Sequence, residues 1–456
     1  MPAPILGGTT LKPTSPTADF RPFLLLWASQ TLSLFGTFIS QFAVNVWLVR
    51  DLYPLPAQKP ELALALTAAG VAMTAPLIFG MPLAGAFADR YDRRKILQRA
   101  NLGLAALSAI IVALLLAHRL SLPIAVLLLA GYALMGSFHS AAFDSGYGLL
   151  VPSGRLARAN AMMMTSYGLS QLLAPPLAAT LVGLPTLLGG AERLPAWMAS
   201  GVPFAFAADG VSFLVAFLAA TVIRFPPLPP RADAAPTSLY GDVKAGFRWM
   251  LSRRPFLWLT SNGALVNLMF APMMLLLPIL VRDRLAADRA LHGLSFEAAL
   301  ALVNTVGGLG AVLGGVALGI VGFRGAKKTT LMILLLLGMG VGQVLVGLSR
   351  TVFTFAAAMF LTELMIAPLN TASFTLWQSL TPPHLLARAL SVRRFLAQSA
   401  FPLGTVIAGW IAAAVEPWIV VTAAGAFLAL GCAAQLGAPG FGALEDRMRE
   451  AAARPD

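Results

Sequence analysis

The chain has 456 residues, 58% of them hydrophobic and only 11% charged, with a formal charge of +13. A soluble fold of this length could not hide so much apolar surface, so the composition excludes a soluble enzyme or binding domain and requires a polytopic membrane protein. The single cysteine, Cys432, excludes an internal disulfide.

Residues 1–22 are polar and contain proline, without the charged start, short apolar core and cleavage site of a signal peptide. They are expected to be a cytoplasmic tail, with insertion beginning at the first membrane helix. Apolar runs of about 20 residues predict spans at 23–49, 62–88, 96–117, 122–146, 160–184 and 202–224 in a first half (23–224). A second half (255–437) predicts spans at 255–281, 297–322, 329–348, 352–379, 395–415 and 418–437. Residues 438–456 form a second cytoplasmic tail. Twelve spans place both termini on one side of the membrane. With the N-terminus inside, 24 of the 32 Lys and Arg residues fall on cytoplasmic stretches and eight on outer loops. That is the bias of the positive-inside rule. Topology therefore accounts for the basic charge, and no nucleic-acid partner is expected.

Residues 225–254 are a cytoplasmic linker. Phe225-Pro226-Pro227-Leu228-Pro229-Pro230 is a stiff polyproline stretch. After it, Lys244, Arg248, Arg253 and Arg254 interleave with Val243, Phe247, Trp249 and Met250, the pattern of a basic amphipathic helix on the inner leaflet.

The halves repeat. Arg21-Pro22-Phe23-Leu24 returns as Arg254-Pro255-Phe256-Leu257. Gly85 and its basic loop return as Gly315 with Arg324, Lys327 and Lys328, and Leu156-Ala157-Arg158-Ala159 as Leu386-Ala387-Arg388-Ala389. Six spans per half is an even number, so the copies share one orientation, as in parallel transporter repeats.

Between the second and third spans lies Gly85-Ala86-Phe87-Ala88-Asp89-Arg90-Tyr91-Asp92-Arg93-Arg94-Lys95. So short and basic a turn makes a hairpin with a cytoplasmic tip. Gly85 is expected to let two helix backbones approach closely. Gly85-x-x-x-Asp89-Arg90-x-x-Arg93-Arg94-Lys95 resembles the signature loop of the major facilitator superfamily. The opening of segment 1, from Phe20-Arg21-Pro22-Phe23 through Gln30 and Gly36, and the stretch from Pro152 to Asn160 resemble its macrolide-efflux and enterobactin-exporter group. Ala174-Pro175-Pro176-Leu177-Ala178-Ala179 is similar to the Gly-Pro-x-x-Gly-Gly signature of drug antiporters, with alanines for all three glycines.

The resemblance implies an all-α fold of twelve transmembrane helices in two six-helix bundles, around a cavity lined by segments 1, 4, 7 and 10. Those four segments carry polar stripes: Gln30, Ser33, Thr37 and Gln41; Tyr132 and His139; Asn267, Phe270 and Met274; and Glu363, Asn370 and Trp377. Each residue is a candidate for the cavity wall or for a helix–helix hydrogen bond. Glu363 lies about eleven residues into its span, roughly 17 Å along the axis. A carboxylate at that depth is costly and is the candidate for proton coupling. Asp209, on an outer helix in such folds, reads as structural. Segment 1 has no acid, although several drug antiporters place one there.

The resemblance also implies a cytoplasmic gate built from Gly85, Asp89, Arg90, Arg93, Arg94 and Asp144. In it, Asp89 meets the Arg393-Arg394-Phe395 end of segment 11, and Asp144 pairs with Arg93 or Arg94. The expected function is proton-coupled export of an amphipathic small molecule, by a monomer in the cytoplasmic (inner) membrane. An uptake symporter or uniporter would share every feature; a non-transporting sensor is more remote. No enzyme is expected: His-Glu-x-x-His and Gly-x-Ser-x-Gly are missing, and the histidines are scattered as His118, His139, His292 and His384. Neither cofactor nor metal is expected, since the glycines and lysines around Gly322 lack the spacing of a phosphate loop.

Overall fold

The structure is a computed structural model. It describes residues 20–188, 200–225, 248, 250, 252–323, 327–381, 386–438, 441–446 and 450. Twelve long helices follow one another: α1 Arg21–Leu52, α2 Lys59–Arg90, α3 Arg93–Leu116, α4 Leu122–Leu150, α5 Leu156–Val182 and α6 Val202–Val222. The second half holds α7 Arg254–Ile279, α8 Phe296–Val321, α9 Lys328–Leu348, α10 Val352–Leu380, α11 Leu386–Ala414 and α12 Pro417–Gly437. Eleven of the described helices are long and apolar enough to cross a membrane. The twelfth, α5, is 27 residues long with Arg158, Asn160, Ser170 and Gln171 dispersed along it, which lowers its hydropathy.

The helices start and stop for local reasons. Proline stands in the first turn of α1, α4, α6, α7 and α12, where its missing N–H costs nothing. Asp92 caps α3 by accepting from the Arg94 N–H at 2.9 Å. Most boundaries fall within a few residues of the predicted spans; α11 begins nine residues earlier than expected and α5 four. α10 is kinked at Met365, between Val352–Leu364 and Ile366–Leu380. Pro368 removes the bond that the Leu364 carbonyl would accept and crowds that carbonyl, which bends the helix there.

The apolar cores show which end of the bundle is closed. At the end away from the signature loop, hereafter the far end, one continuous cluster draws on both halves: Val46 and Leu48 of α1, Leu62 of α2, Leu276 and Val281 of α7, and Phe355 of α10. At the opposite, basic end there are two separate clusters. One contains Phe23, Leu97, Leu150 and Ile223 of the first half. The other contains Met250, Phe256, Leu336 and Trp377 of the second. The halves are thus joined at the far end and parted at the basic end.

The linker reading changes at Met250. This residue is fully buried against the second-half core, with the Thr260 hydroxyl donating to its sulfur at 3.3 Å. Met250 itself therefore docks into protein instead of facing a leaflet. Residues 226–247, which include the polyproline run, lie outside the described residues. Gly85 also departs from expectation. A methyl group added there would meet nothing within 4 Å, because the basic ends of the halves are apart. Close backbone approach occurs elsewhere: Gly409 of α11 packs on Thr67 of α2, and Gly310 and Gly314 of α8 pack on the Phe360 and Leu364 carbonyls of α10.

Candidate functional site

Glu363 stands in the last turn of the first segment of α10, two residues before the kink. It is half-buried, and among the described residues its carboxylate has neither ion pair nor hydrogen bond. Gly307 of α8 makes room for it: a methyl group there would sit 3.4 Å from the Glu363 Cγ. Across the seam between the halves, the Tyr167 ring of α5 lies within electrostatic reach. An unpaired carboxylate in a membrane-spanning helix, at a bend and at the seam between the halves, can take up and release a proton if its surroundings change.

The heptad spacing of Glu363, Asn370 and Trp377 was expected to keep them on one face. Asn370 and Trp377 share the unbroken segment after the kink, yet their surroundings differ. Asn370 is exposed, whereas Trp377 is fully buried in the second-half core. Its ring lies 5.2 Å from that of Phe256, with the Arg393 guanidinium over it at 5.9 Å. Trp377 is therefore a core residue and is withdrawn from the cavity wall.

The stripe on α1 divides. Gln30 and Ser33 are buried, Thr37 is half-buried and Gln41 is exposed. Thr37 shares a hydrogen bond with the Tyr132 hydroxyl at 3.2 Å, and that hydroxyl donates to Asp209 Oδ2 at 2.8 Å. Tyr132 thus ties α1, α4 and α6 together inside the first half. Gly36 is required beside it, since an added methyl group would lie 2.8 Å from Asp209 Oδ1. His139 stacks on Phe143, and its buried Nε2 has no hydrogen-bond partner among the described residues. On α7, the Asn267 amide returns to the Gly263 carbonyl at 2.9 Å. Phe270 packs where the far-end and second-half cores meet.

Gln41 and Met274 do come together. With Asn45, Met73, Thr74, Phe401 and Thr405 they line a cavity of about 200 Å³ between the halves, beneath the far-end core. Its lining offers carboxamides, hydroxyls, thioethers and one aromatic ring, and carries no formal charge.

At the basic end, Arg94 donates to the Ala220 and Thr221 carbonyls that end α6. It therefore braces its own half. Asp144 faces Arg394 of α11 within electrostatic reach but without an ion pair, and both are exposed. Neither Arg93 nor Arg94 pairs with Asp144 among the described residues. The side chain of Asp89 lies outside the described residues, and Arg90 is exposed.

The sequence profile of the Major Facilitator Superfamily matches residues 26–315. The chain belongs to that superfamily. Macrolide efflux protein A of Streptococcus pyogenes is 22% identical over 394 residues, covering 86% of this chain and 89% of that protein. Among solved structures, the inward-facing, unoccupied form of a bacterial homolog of the human lysosomal transporter Spinster aligns at a TM-score of 0.63. It is 17% identical, over 96% of this chain and 93% of that one. A D-xylose–proton symporter aligns at 0.62 with 16% identity, over 91% and 97%. At these identities the two structures speak for the fold alone. The transporter, like the family, is a multi-pass membrane protein.

Two features were missed in the sequence. The Tyr132–Asp209 bond joins residues 77 apart whose helical faces no periodicity relates. The other is a further repeat. Leu48-Val49-Arg50-Asp51 returns as Leu280-Val281-Arg282-Asp283, 232 residues on, and an offset already near 230 was the signal that could have found it.

Proposed function

We propose that this transporter is a proton-coupled exporter of an amphipathic small molecule, working by alternating access with Glu363 as the proton-carrying group. The observation that carries the reading is the unpaired Glu363 carboxylate at the α10 kink, set between α8 and the α5 ring of Tyr167. A carboxylate whose surroundings change when the halves rock couples its proton to that motion. The uncharged cavity lined by Gln41 and Met274 suits the apolar and hydrogen-bonding parts of an amphipathic cargo. Export is supported by the macrolide-efflux relatives; the fold is shared with an uptake symporter and carries no direction. In this reading the basic end is cytoplasmic, the protein lies in the cytoplasmic membrane, and the structure is its inward-facing state. Gly85, Asp89, Arg90, Arg93, Arg94 and Asp144 then form the gate that closes when the state reverses.

The test uses everted membrane vesicles and a radiolabelled macrolide as probe. The wild type should accumulate the probe when the vesicle interior is acid. Glu363→Gln should bind the probe yet lose gradient-driven accumulation, falling to the level of empty vesicles. Full accumulation by Glu363→Gln would remove that residue from the mechanism. Accumulation only in right-side-out vesicles would make the protein an importer.

A further inference from the structure

The missed repeat extends to the backbone. α1 closes with a π-helical turn over Trp47–Leu52, and α7 with another over Leu280–Arg284. The closing bonds correspond: the Tyr53 N–H donates to the Leu48 carbonyl at 2.9 Å, and the Leu285 N–H to the Leu280 carbonyl at 3.1 Å. Each pair is displaced by the same 232 residues. A π-helical turn is rare, and its recurrence at one sequence motif in both halves points to a shared task.

The side chains show the task. In each copy the arginine Nε donates to the aspartate beside it, at 2.9 Å for Arg50 and 2.6 Å for Arg282. That bond orients the guanidinium; Arg282 Nη2 also donates to Asp283 Oδ2 at 3.0 Å, and in both copies Nη1 is left to reach outward. Arg50 Nη1 then crosses to Glu297 in the first turn of α8 at 3.0 Å, and its Nη2 donates to Ser200 at 3.1 Å. Arg282 Nη1 crosses the other way, to the Tyr53 carbonyl at the end of α1, at 2.9 Å. Each half therefore holds the other by the same motif.

We propose that Leu48-Val49-Arg50-Asp51 and Leu280-Val281-Arg282-Asp283 are the two arms of one reciprocal clasp that holds the far end shut and thereby sets the balance between the two transport states. The inference deepens the alternating-access reading and rests on it. Opening the far end must pull α1 from α8 and α7 from the loop after α1, so each crossing bond stabilises only the far-closed state. The arms are unequal. Arg50 meets a carboxylate whose side chain is 13% exposed, whereas Arg282 meets a neutral carbonyl. The Arg50 arm should contribute more.

The experiment measures opening directly, without substrate or gradient, so its outcome is independent of what is carried and of proton coupling. Leu55 and Leu291 are exposed at the far end in opposite halves. Spin labels on Leu55→Cys and Leu291→Cys, in a Cys432→Ser background in lipid nanodiscs, report the far-end distance by pulsed dipolar spectroscopy. Arg50→Gln and Glu297→Gln should each raise the long-distance population by up to about fivefold. The double variant should match the singles, because either change already removes the crossing bond. Arg282→Gln should give a smaller rise. Glu61→Gln, which removes an exposed acid in the first turn of α2, should leave the distribution unchanged. If Arg50→Gln fails to fold, Glu297→Gln, which leaves Arg50 bonded to Asp51 and Ser200, carries the test. Unchanged distances in Glu297→Gln, strict additivity in the double variant, or an equal rise in Glu61→Gln would overturn the clasp.

Discussion

The two ends of the bundle use the same basic side chains in opposite ways. At the far end Arg50 and Lys59 of the first half pair with Glu297 and Glu416 of the second, and Arg282 reaches back to the first. There the charges cross between the halves. At the basic end Arg94 holds α6 of its own half, Arg393 donates to Ser373 of its own half, and Lys327 pairs with Asp446 of its own tail. The apolar cores repeat the contrast, one shared cluster against two separate ones. The partners of the charges, more than their number, therefore distinguish the joined end from the parted one.

The sharpest way to break this comparison is to delete core volume at each end. Trp377 and Phe355 are both fully buried aromatics, one in the second-half core and one in the shared core. Truncating either to alanine should cost about 3–5 kcal/mol. Trp377→Ala should weaken the second half alone and split thermal unfolding into two transitions. Phe355→Ala should lower a single transition, because both halves draw on its cluster. Calorimetry in detergent decides; one transition in both variants would mean that the cores are not independent.

The next contrast is between two glycines. At Gly409 an added Cβ strikes Thr67 across the α2–α11 seam, whereas at Gly85 it meets open space. Gly409→Val should cost about 1–3 kcal/mol through overpacking of the closed end. Gly85→Val should be nearly neutral for stability in this state and should obstruct closure of the basic end. Melting temperature and transport, measured together, separate the two: Gly409→Val loses both, and Gly85→Val loses transport alone.

The fold was largely legible in the sequence because a membrane span must satisfy its backbone internally and announces itself by length and apolarity. The site was legible only in part. Polar stripes name helical faces, but constant spacing does not say what covers a face along its length: Asn370 and Trp377, seven residues apart on one unbroken segment of α10, are exposed and fully buried respectively. Likewise Tyr132 sits on a predicted cavity face yet turns to Asp209, since a buried carboxylate draws the nearest donor. Asp209, read as structural, does hold three helices through that bond and its contact with Gly36. The proposed clasp was not legible because its arginines lie on the outer side of the charge count, to which the positive-inside rule assigns no role.

The smallest effect concerns Asp144 and Arg394. They belong to different halves, lie at the open end and are exposed, so water screens them and their attraction is weak. In the alternating-access reading, closing the basic end brings α4 and α11 together, and the pair should then contribute about 0.2–1 kcal/mol to the closed state. That is at most about a fivefold change in the ratio of states. Asp144→Asn should shift the balance toward the basic-end-open form by about that factor. Asp144→Arg should shift it further, by replacing attraction with repulsion. Labelling of a cysteine placed at Lys95, compared with one placed at Met274 within the cavity, reports basic-end opening as a change in the Met274 rate alone. Combining Asp144→Arg with Arg394→Asp should return the Met274 rate toward that of the wild type. If rescue comes instead from Arg93→Asp or Arg94→Asp, those bases turn to Asp144 when the gate closes and Arg94 leaves α6 to do so. If no partner rescues it, Asp144 has no part in the gate, and the basic loop serves topology alone.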